Sequence, residues 1–200
     1  MPRKIKEKRE RALGVKLFLK AERCNSPKCA LVRKPYPPGM HGQGSRRILS
    51  DYGRQLKEKQ KLQVVYGLNN KQVSNLFKNF KLDEIPLILE RRLDKVVYNL
   101  GFAKSLRIGR QLVLHGHILV NGKKVTIPSY LVSKGDKISI RPESMNKKVF
   151  SDLKDLLKQK EVPLWLKLDV EKMVGEVIAL PPKGERLPFD ISLVAEFYSR

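Results

Sequence analysis

Residues 89–141 read LERRLDKVVYNLGFAKSLRIGRQLVLHGHILVNGKKVTIPSYLVSKGDKISIR, and this stretch decides the fold. Leu89, Leu93, Val96, Val97 and Leu100 recur at i, i+4, i+7, i+8 and i+11, the spacing of one buried face on an amphipathic helix. Arg91, Arg92 and Lys95 fall off that stripe, and Gly101 can end the helix in the left-handed conformation. Ser105 is a candidate N-cap for a second helix through about His115, with Ile108, Leu112 and Val113 inward and Arg107, Arg110 and Gln111 facing out. Gly116 closes it. Asn121-Gly122 is flanked by segments 117–120 and 123–127 and suits the positive φ angles of a type I′ hairpin turn. Lys134-Gly135-Asp136 makes a further turn before the alternating Ile138 and Ile140. The stretch therefore predicts two short basic helices followed by a small antiparallel sheet.

Upstream, Tyr52, Leu56, Leu62 and Tyr66 share one helical face between a Ser50 cap and a Gly67 stop, with Arg54, Lys57, Lys59 and Lys61 on the exposed side. Val73, Leu76, Phe77 and Phe80 predict a second helix. Pro86 fits the first turn of a third, expected to run without interruption into the Leu89 stripe. Residues 1–11 alternate Lys and Arg with little apolar content and read as an extended arm that orders on a polyanion. Leu13, Val15, Leu17 and Leu19 can anchor a short turn or strand. Pro35, Pro37, Pro38, Gly39, Gly42 and Gly44 exclude regular structure. That loop reads equally as a rigid corner or as a place where backbone amides approach phosphates. Downstream lie a helix at about 148–160, a mixed segment from Trp165 to Leu180 and an apolar run at 191–198. The expected fold is α+β and mainly helical. Its divisions are an arm and knob (1–45), a helical domain (46–90), the helix-and-sheet module (91–152) and a C-terminal segment (153–200).

The charge is placed as well as abundant. Residues 1–150 carry 34 Lys and Arg against 11 Asp and Glu, whereas residues 151–200 carry 8 against 9, within a formal total of +22. Such a field attracts a phosphate backbone and predicts salt-sensitive binding. A hydrophobic content of 41% excludes wholesale disorder. The apolar run at 13–19 is broken by Gly14 and Lys16, so no secretory or membrane segment is expected and the chain is placed in the cytoplasm, with Cys24 and Cys29 reduced. No G-x-S-x-G, Walker-type loop or H-E-x-x-H occurs, and the three histidines make no active site, His41 having no evident nucleophile or carboxylate beside it, so no enzyme is expected. His115 and His117 flank the helix-to-hairpin turn, where a ring can cap, pack, or stack on RNA.

The 89–141 stretch resembles the RNA-binding module named after the small-subunit ribosomal protein S-four family, a module shared with pseudouridine synthases, some tRNA synthetases and heat-shock RNA-binding proteins. The flanks resemble the bacterial-type ribosomal family itself: Tyr36-Pro37-Pro38-Gly39-Met40-His41-Gly42, Leu49-Ser50-Asp51-Tyr52-Gly53, Lys57-Glu58-Lys59-Gln60-Lys61 and Glu196-Phe197-Tyr198-Ser199-Arg200. The blocks keep one order from about Gly14 to the last residue. Enzymes that borrow the module need a large catalytic domain for which this length leaves no room.

The resemblance implies a small-subunit constituent that binds ribosomal RNA early in assembly, organises a multi-helix junction of the 5′ domain and nucleates the subunit body. It also implies neighbours S-five and S-twelve, an influence on decoding accuracy and a lining role where messenger RNA enters. A free RNA-binding translational repressor is the alternative. The module is expected as an insertion in a larger domain whose two parts are the helical region and the C-terminal segment folding back on it. Within the module the implied RNA face is Arg91, Arg92, Lys104, Ser105, Arg107, Arg110, Gln111, His115, Asn121 and Lys123. Ser105 and Asn121 also read as cap and turn, and Arg110 can instead pair with Asp94. Positions 106 and 114, often basic in the family, are Leu106 and Leu114 here, and Gly109 replaces a better helix former at about 1 kcal/mol relative to Ala. Outside the module the candidates are Arg3, Lys4, Arg9, Arg11, Tyr36, His41, Arg46, Arg47, Arg54, Lys57, Lys59 and Lys61, with Arg46, Arg47 and Arg54 assigned to the messenger channel. Cys24 and Cys29 are spaced like half a zinc knuckle, which needs four ligands. The family's zinc-containing branch supplies the other two from a Cys-x-x-Cys whose positions hold Glu7 and Glu10 here, so no metal or cofactor is expected.

Overall fold

The computed structural model describes residues 7–19, 21–44, 48–145, 147, 150, 153, 157, 161–182 and 187–199, with backbone alone at 21 and 22. In chain order the helices are α1 (Lys8–Leu13), α2 (Ala21–Cys24), α3 (Ala30–Arg33), α4 (Asp51–Tyr66), α5 (Asn70–Asn79), α6 (Ile85–Glu90), α7 (Leu93–Asn99), α8 (Leu106–Leu114) and α9 (Ile191–Tyr198). The strands are β1 (Ile118–Val120), β2 (Lys123–Lys124), β3 (Lys137–Ile140), β4 (Leu166–Asp169) and β5 (Val174–Val177). The fold is α+β. It divides into two units, one of Met1–Ile85 with Arg186–Arg200 and one of Pro86–Glu185.

In the first unit α4 begins where the Ser50 hydroxyl accepts the Gly53 amide, and α5 where Asn69 and Gln72 form a reciprocal capping box. The chain's last helix, α9, packs on both. Gln55 donates to Glu196 at 2.9 Å, Tyr52 meets Phe197 at 5.6 Å and Phe77 stacks on Tyr198 at 5.5 Å. Residues 8–11 are helical and not extended, because α1 has a face to bury: Leu13 packs with Leu17 and Val64. Leu17 and Leu19 lie outside any strand, with Leu19 in a turn.

In the second unit the helix expected to run unbroken from Pro86 stops at Glu90. Residues 91–92 are drawn out of helix by the incoming 127–132 segment: Leu93 donates to Tyr130 O at 2.8 Å, Val132 donates to Arg91 O at 3.0 Å, and Arg92 bridges Leu131. Helices α7 and α8 then pack closely. A Cβ on Gly109 would stand 2.8 Å from the Asp94 carbonyl oxygen, so the residue read from sequence as a weak helix former is what permits the contact.

The hairpin forms as expected, with Asn121 at φ 51 and Gly122 at φ 77. The sheet is larger than expected. Its order is β2-β1-β3-β5-β4, antiparallel throughout, with Ile138 opposite both Val120 and Gly175. Residues 166–177 therefore complete the module's sheet, and of the segment 153–200 expected to fold back on the helical domain only Arg186–Arg200 belongs to the first unit. Leu166 and Val177 are buried in the core beside Leu100, Ile118, Ile138 and Trp165. Phe150, Leu153 and Leu157 join that core, while the rest of the helix expected at 148–160 lies outside the described residues.

Candidate nucleic-acid interface

The α8 helix sets the geometry of the interface. Ser105 is its cap, accepting the Ile108 amide at 3.4 Å, and is 3% exposed, so it is spent on structure and not on a partner. Leu112 and Val113 face the core, which turns Arg107, Arg110, Gln111 and Leu114 outward at helical spacing. The two arginines differ. Arg107 is half-buried and has no carboxylate partner among the described residues. Arg110 Nη1 lies 3.5 Å from Asp94 Oδ2, with about a quarter of its side chain exposed.

Asp94 is 1% exposed and belongs chiefly to Arg92, whose Nε and Nη2 reach its two oxygens at 3.0 and 2.7 Å. Arg92 is itself 7% exposed, drawn inside by its pair with the buried Asp94. Burial lowers the Arg110 pKa, Asp94 opposes the shift and Arg92 adds to it. Arg91 spends its Nε on Val132 O at 3.0 Å and keeps part of its guanidinium at the surface. Lys104 is half-buried.

At the far end of α8 the His115 and His117 rings stack with centroids 6.1 Å apart, and His117 meets Phe150 edge-on at 6.2 Å. His117 Nδ1 lies 2.9 Å from Ser144 Oγ. Burial holds the His117 pKa below its ordinary value, and Lys147, His115, Arg141 and Lys124 push the same way. Lys124, Arg141, which pairs with Glu143, and Lys147 thus form a cationic cluster near His117 that the sequence did not single out. The available signal was strand register, since Lys124 pairs with Leu119 and its chain lies against Gly116. Asn121, offered as an RNA contact, is committed to the turn: its Nδ2 donates to Asp136 at 2.8 Å and its Oδ1 accepts the Lys137 amide at 2.8 Å. Lys123 is exposed beside it.

In the first unit the candidates separate in the same way. Lys59 is 9% exposed, its ammonium 4.2 Å from the Phe197 ring centroid, and burial lowers its pKa. Lys61 pairs with Glu58 at 2.6 Å, and the other oxygen of Glu58 accepts the Asp190 amide at the start of α9. Lys59 is thus engaged with α9 directly and Lys61 through Glu58. Arg11 donates to the carbonyls of Lys34, Tyr36 and Pro37 and lies over the Tyr36 ring at 4.9 Å, so these two candidates brace the Pro-rich loop. Arg9 and Arg54 are exposed, Arg54 in a surface pair with Asp51. Lys57 and His41 border an open hollow of about 690 Å³ floored by Leu31, Val32, Pro35 and Pro37. Arg3, Lys4, Arg46 and Arg47 lie outside the described residues.

The knuckle positions do not fit zinc. Glu10 Oε1 accepts the amides of Leu17 and Leu19 at 3.1 and 3.3 Å, and the Cys24 thiol donates to the same carboxylate at 3.7–3.8 Å. Glu7 pairs with Arg23 at 3.3 Å. Both cysteines are buried free thiols, and no group of three or more metal-ligating side chains occurs among the described residues. Glu10, Cys24 and Glu7 are engaged in hydrogen bonds and an ion pair that hold the knob directly, and the Cys29 thiol is buried.

A capped helix with an outward arginine face, backed by a hairpin and ringed by lysines, is an RNA-binding module; residues 91–138 match the S4 domain family. Residues 3–96 match the ribosomal protein S4/S9 N-terminal domain. The small ribosomal subunit protein uS4 of Thermus thermophilus is 50% identical over 194 residues, covering 94% of this chain and 93% of that protein. That of Syntrophomonas wolfei is 47% identical over 195 residues with the same coverage, and that of Caldicellulosiruptor saccharolyticus 46% over 194. The chain belongs to the uS4 family, the ribosomal proteins of the small subunit, which are structural constituents and not enzymes and whose place is the cytoplasmic ribosome. Among the described residues no helix is long and apolar enough to cross a membrane.

Proposed function

We propose that this chain binds ribosomal RNA of the small subunit early in assembly, organising a multi-helix junction of the 5′ domain and nucleating the body of the subunit. The observation that carries this reading is the sorting of charge in the second unit. Asp94 and Glu90 are buried and bonded, while Lys123, Lys124 and Lys147 are exposed and Arg107 is half-buried around α8 and the hairpin. A rigid cationic face of this kind suits phosphate and 2′-hydroxyl contacts that read the shape of an RNA junction more than its sequence. Neighbouring S-five and S-twelve, an influence on decoding accuracy and a place for Arg54 along the path where messenger RNA enters belong to the same proposal. Sucrose-gradient fractionation tests it. Comigration with small subunits through a high-salt wash is expected, and recovery only near the top of the gradient would overturn it.

A further inference from the structure

Phe18 has a left-handed backbone, φ 52, a conformation that L-residues with a Cβ rarely adopt. The cause is Glu10. Its Oε1 clamps the amides on either side of Phe18, those of Leu17 and Leu19, and the carboxylate is 2% exposed. Leu17 and Leu19 both pack on the Leu13–Val64 cluster, so the turn between them pushes the intervening side chain out. The Phe18 ring is 48% exposed and meets no other aromatic ring among the described residues. Glycine would relieve the backbone and a polar side chain would suit the solvent. An outlier held this firmly points to a use for the side chain it displays.

The surroundings identify the occupant. Residues 7–34 contain nine Lys and Arg and three Glu; of the latter, Glu10 is buried and Glu7 faces Arg23. Lys16, two residues from the ring, is exposed. A displayed aromatic face in a cationic field is the recognition set for an unpaired nucleotide: the base stacks and its phosphates meet the cations. Resting on the RNA-binding reading above, we infer that Phe18 stacks on an unpaired nucleobase of small-subunit RNA and that Glu10 is the positioning residue that presents it.

The test measures affinity of the full chain for a 5′-domain transcript of small-subunit RNA at several salt concentrations. Phe18→Ala, Phe18→Leu and Phe18→Gly should each bind at least about fivefold more weakly, and Phe18→Tyr within about twofold of the parent. The slope of affinity against salt should not change, since no phosphate contact is lost. Phe18→Gly should melt no earlier than the parent. Glu10→Ala should weaken binding in the parent and add nothing in the Phe18→Ala background, with Glu10→Gln, which keeps an acceptor oxygen, close to normal. A Leu variant that binds like the parent would overturn the assignment. So would normal RNA affinity combined with loss from reconstituted subunits, which would make Phe18 a protein contact. Failure of the parent itself to bind the transcript would remove the RNA-binding reading and this assignment together.

Discussion

Arg92→Ala removes the guanidinium that holds both oxygens of Asp94, at 2.7 and 3.0 Å. Asp94 is 1% exposed, and its other charged contact is Arg110 at 3.5 Å. Breaking a buried pair by deleting one partner costs about 3–5 kcal/mol, because the other charge stays desolvated. The long contact from a partly solvated Arg110 offsets about 1 kcal/mol of that, leaving a net loss of roughly 3 kcal/mol. Trp165 is the chain's sole tryptophan and lies in the core of the second unit, so its fluorescence reports the urea unfolding of that unit. With a slope of about 1–1.5 kcal/mol per molar urea, the midpoint should fall by about 2–3 M. Adding Asp94→Asn should recover most of the loss, since no charge then remains buried. Below the transition, RNA affinity should change by less than about threefold, because Arg92 is 7% exposed. A midpoint within about 0.5 M of the parent, together with tenfold weaker RNA binding, would refute the buried pair and return Arg92 to the RNA face.

Arg107→Ala should weaken binding to a small-subunit RNA junction about tenfold, near 1.4 kcal/mol, and reduce the salt slope by about one ion without moving the Trp165 midpoint; Arg107→Lys should fall between. Gly109→Ala should lower that midpoint despite the better helix propensity of alanine, since the new Cβ would stand 2.8 Å from the Asp94 carbonyl; overpacking of this kind costs about 1–3 kcal/mol, and a stabilised variant would contradict the close α7–α8 contact. His117 titrates below 6.5 in the folded chain, through burial first and then Lys147, His115, Arg141 and Lys124, so unfolding takes up a proton between its folded pKa and about 6.5. Its contribution is therefore complete above that range and is lost as pH falls through it, which urea midpoints at pH 5.5 and 7.5 will show and which His117→Gln should flatten.

What the sequence made legible was local. Ser105 as a cap, Asn121-Gly122 as a turn and the buried stripe of Leu93, Val96, Val97 and Leu100 depend on neighbours within a turn or two, and all formed. The fate of each cation was not local. Arg91, Arg92 and Arg107 look alike off their apolar stripes, and only the arrival of residues 127–132 draws 91–92 out of helix and leaves Arg92 against Asp94. Lys59 and Lys61 read as an exposed basic side of α4, until α9, from the other end of the sequence, covers Lys59 and engages Glu58, the partner of Lys61. Strands β4 and β5 were missed for the same reason. They read only as a mixed segment expected to fold back on the helical domain, whereas β5 pairs with β3 through a register that no short window contains.

Three carboxylates are turned inward, whereas Glu143 is exposed and pairs with Arg141. Glu10, Glu90 and Asp94 are 2%, 2% and 1% exposed, and each is engaged: Glu10 by two amides and a thiol, Glu90 by Lys95 at 3.2 Å and Asn99 at 3.3 Å, Asp94 by Arg92. A carboxylate on the outer face would repel phosphate and pair with the cations meant for it. Turned inward, the same group organises backbone and guanidinium groups that would otherwise need solvent, at the expense of a desolvation penalty that only complete hydrogen bonding offsets. The surface potential and the internal order therefore share one cause. Substituting any of these three acids should reduce stability before it changes charge attraction to RNA, whereas substituting Arg107 or Lys124 should do the reverse, and that opposite ordering of effects is what separates the frame of this protein from its binding face.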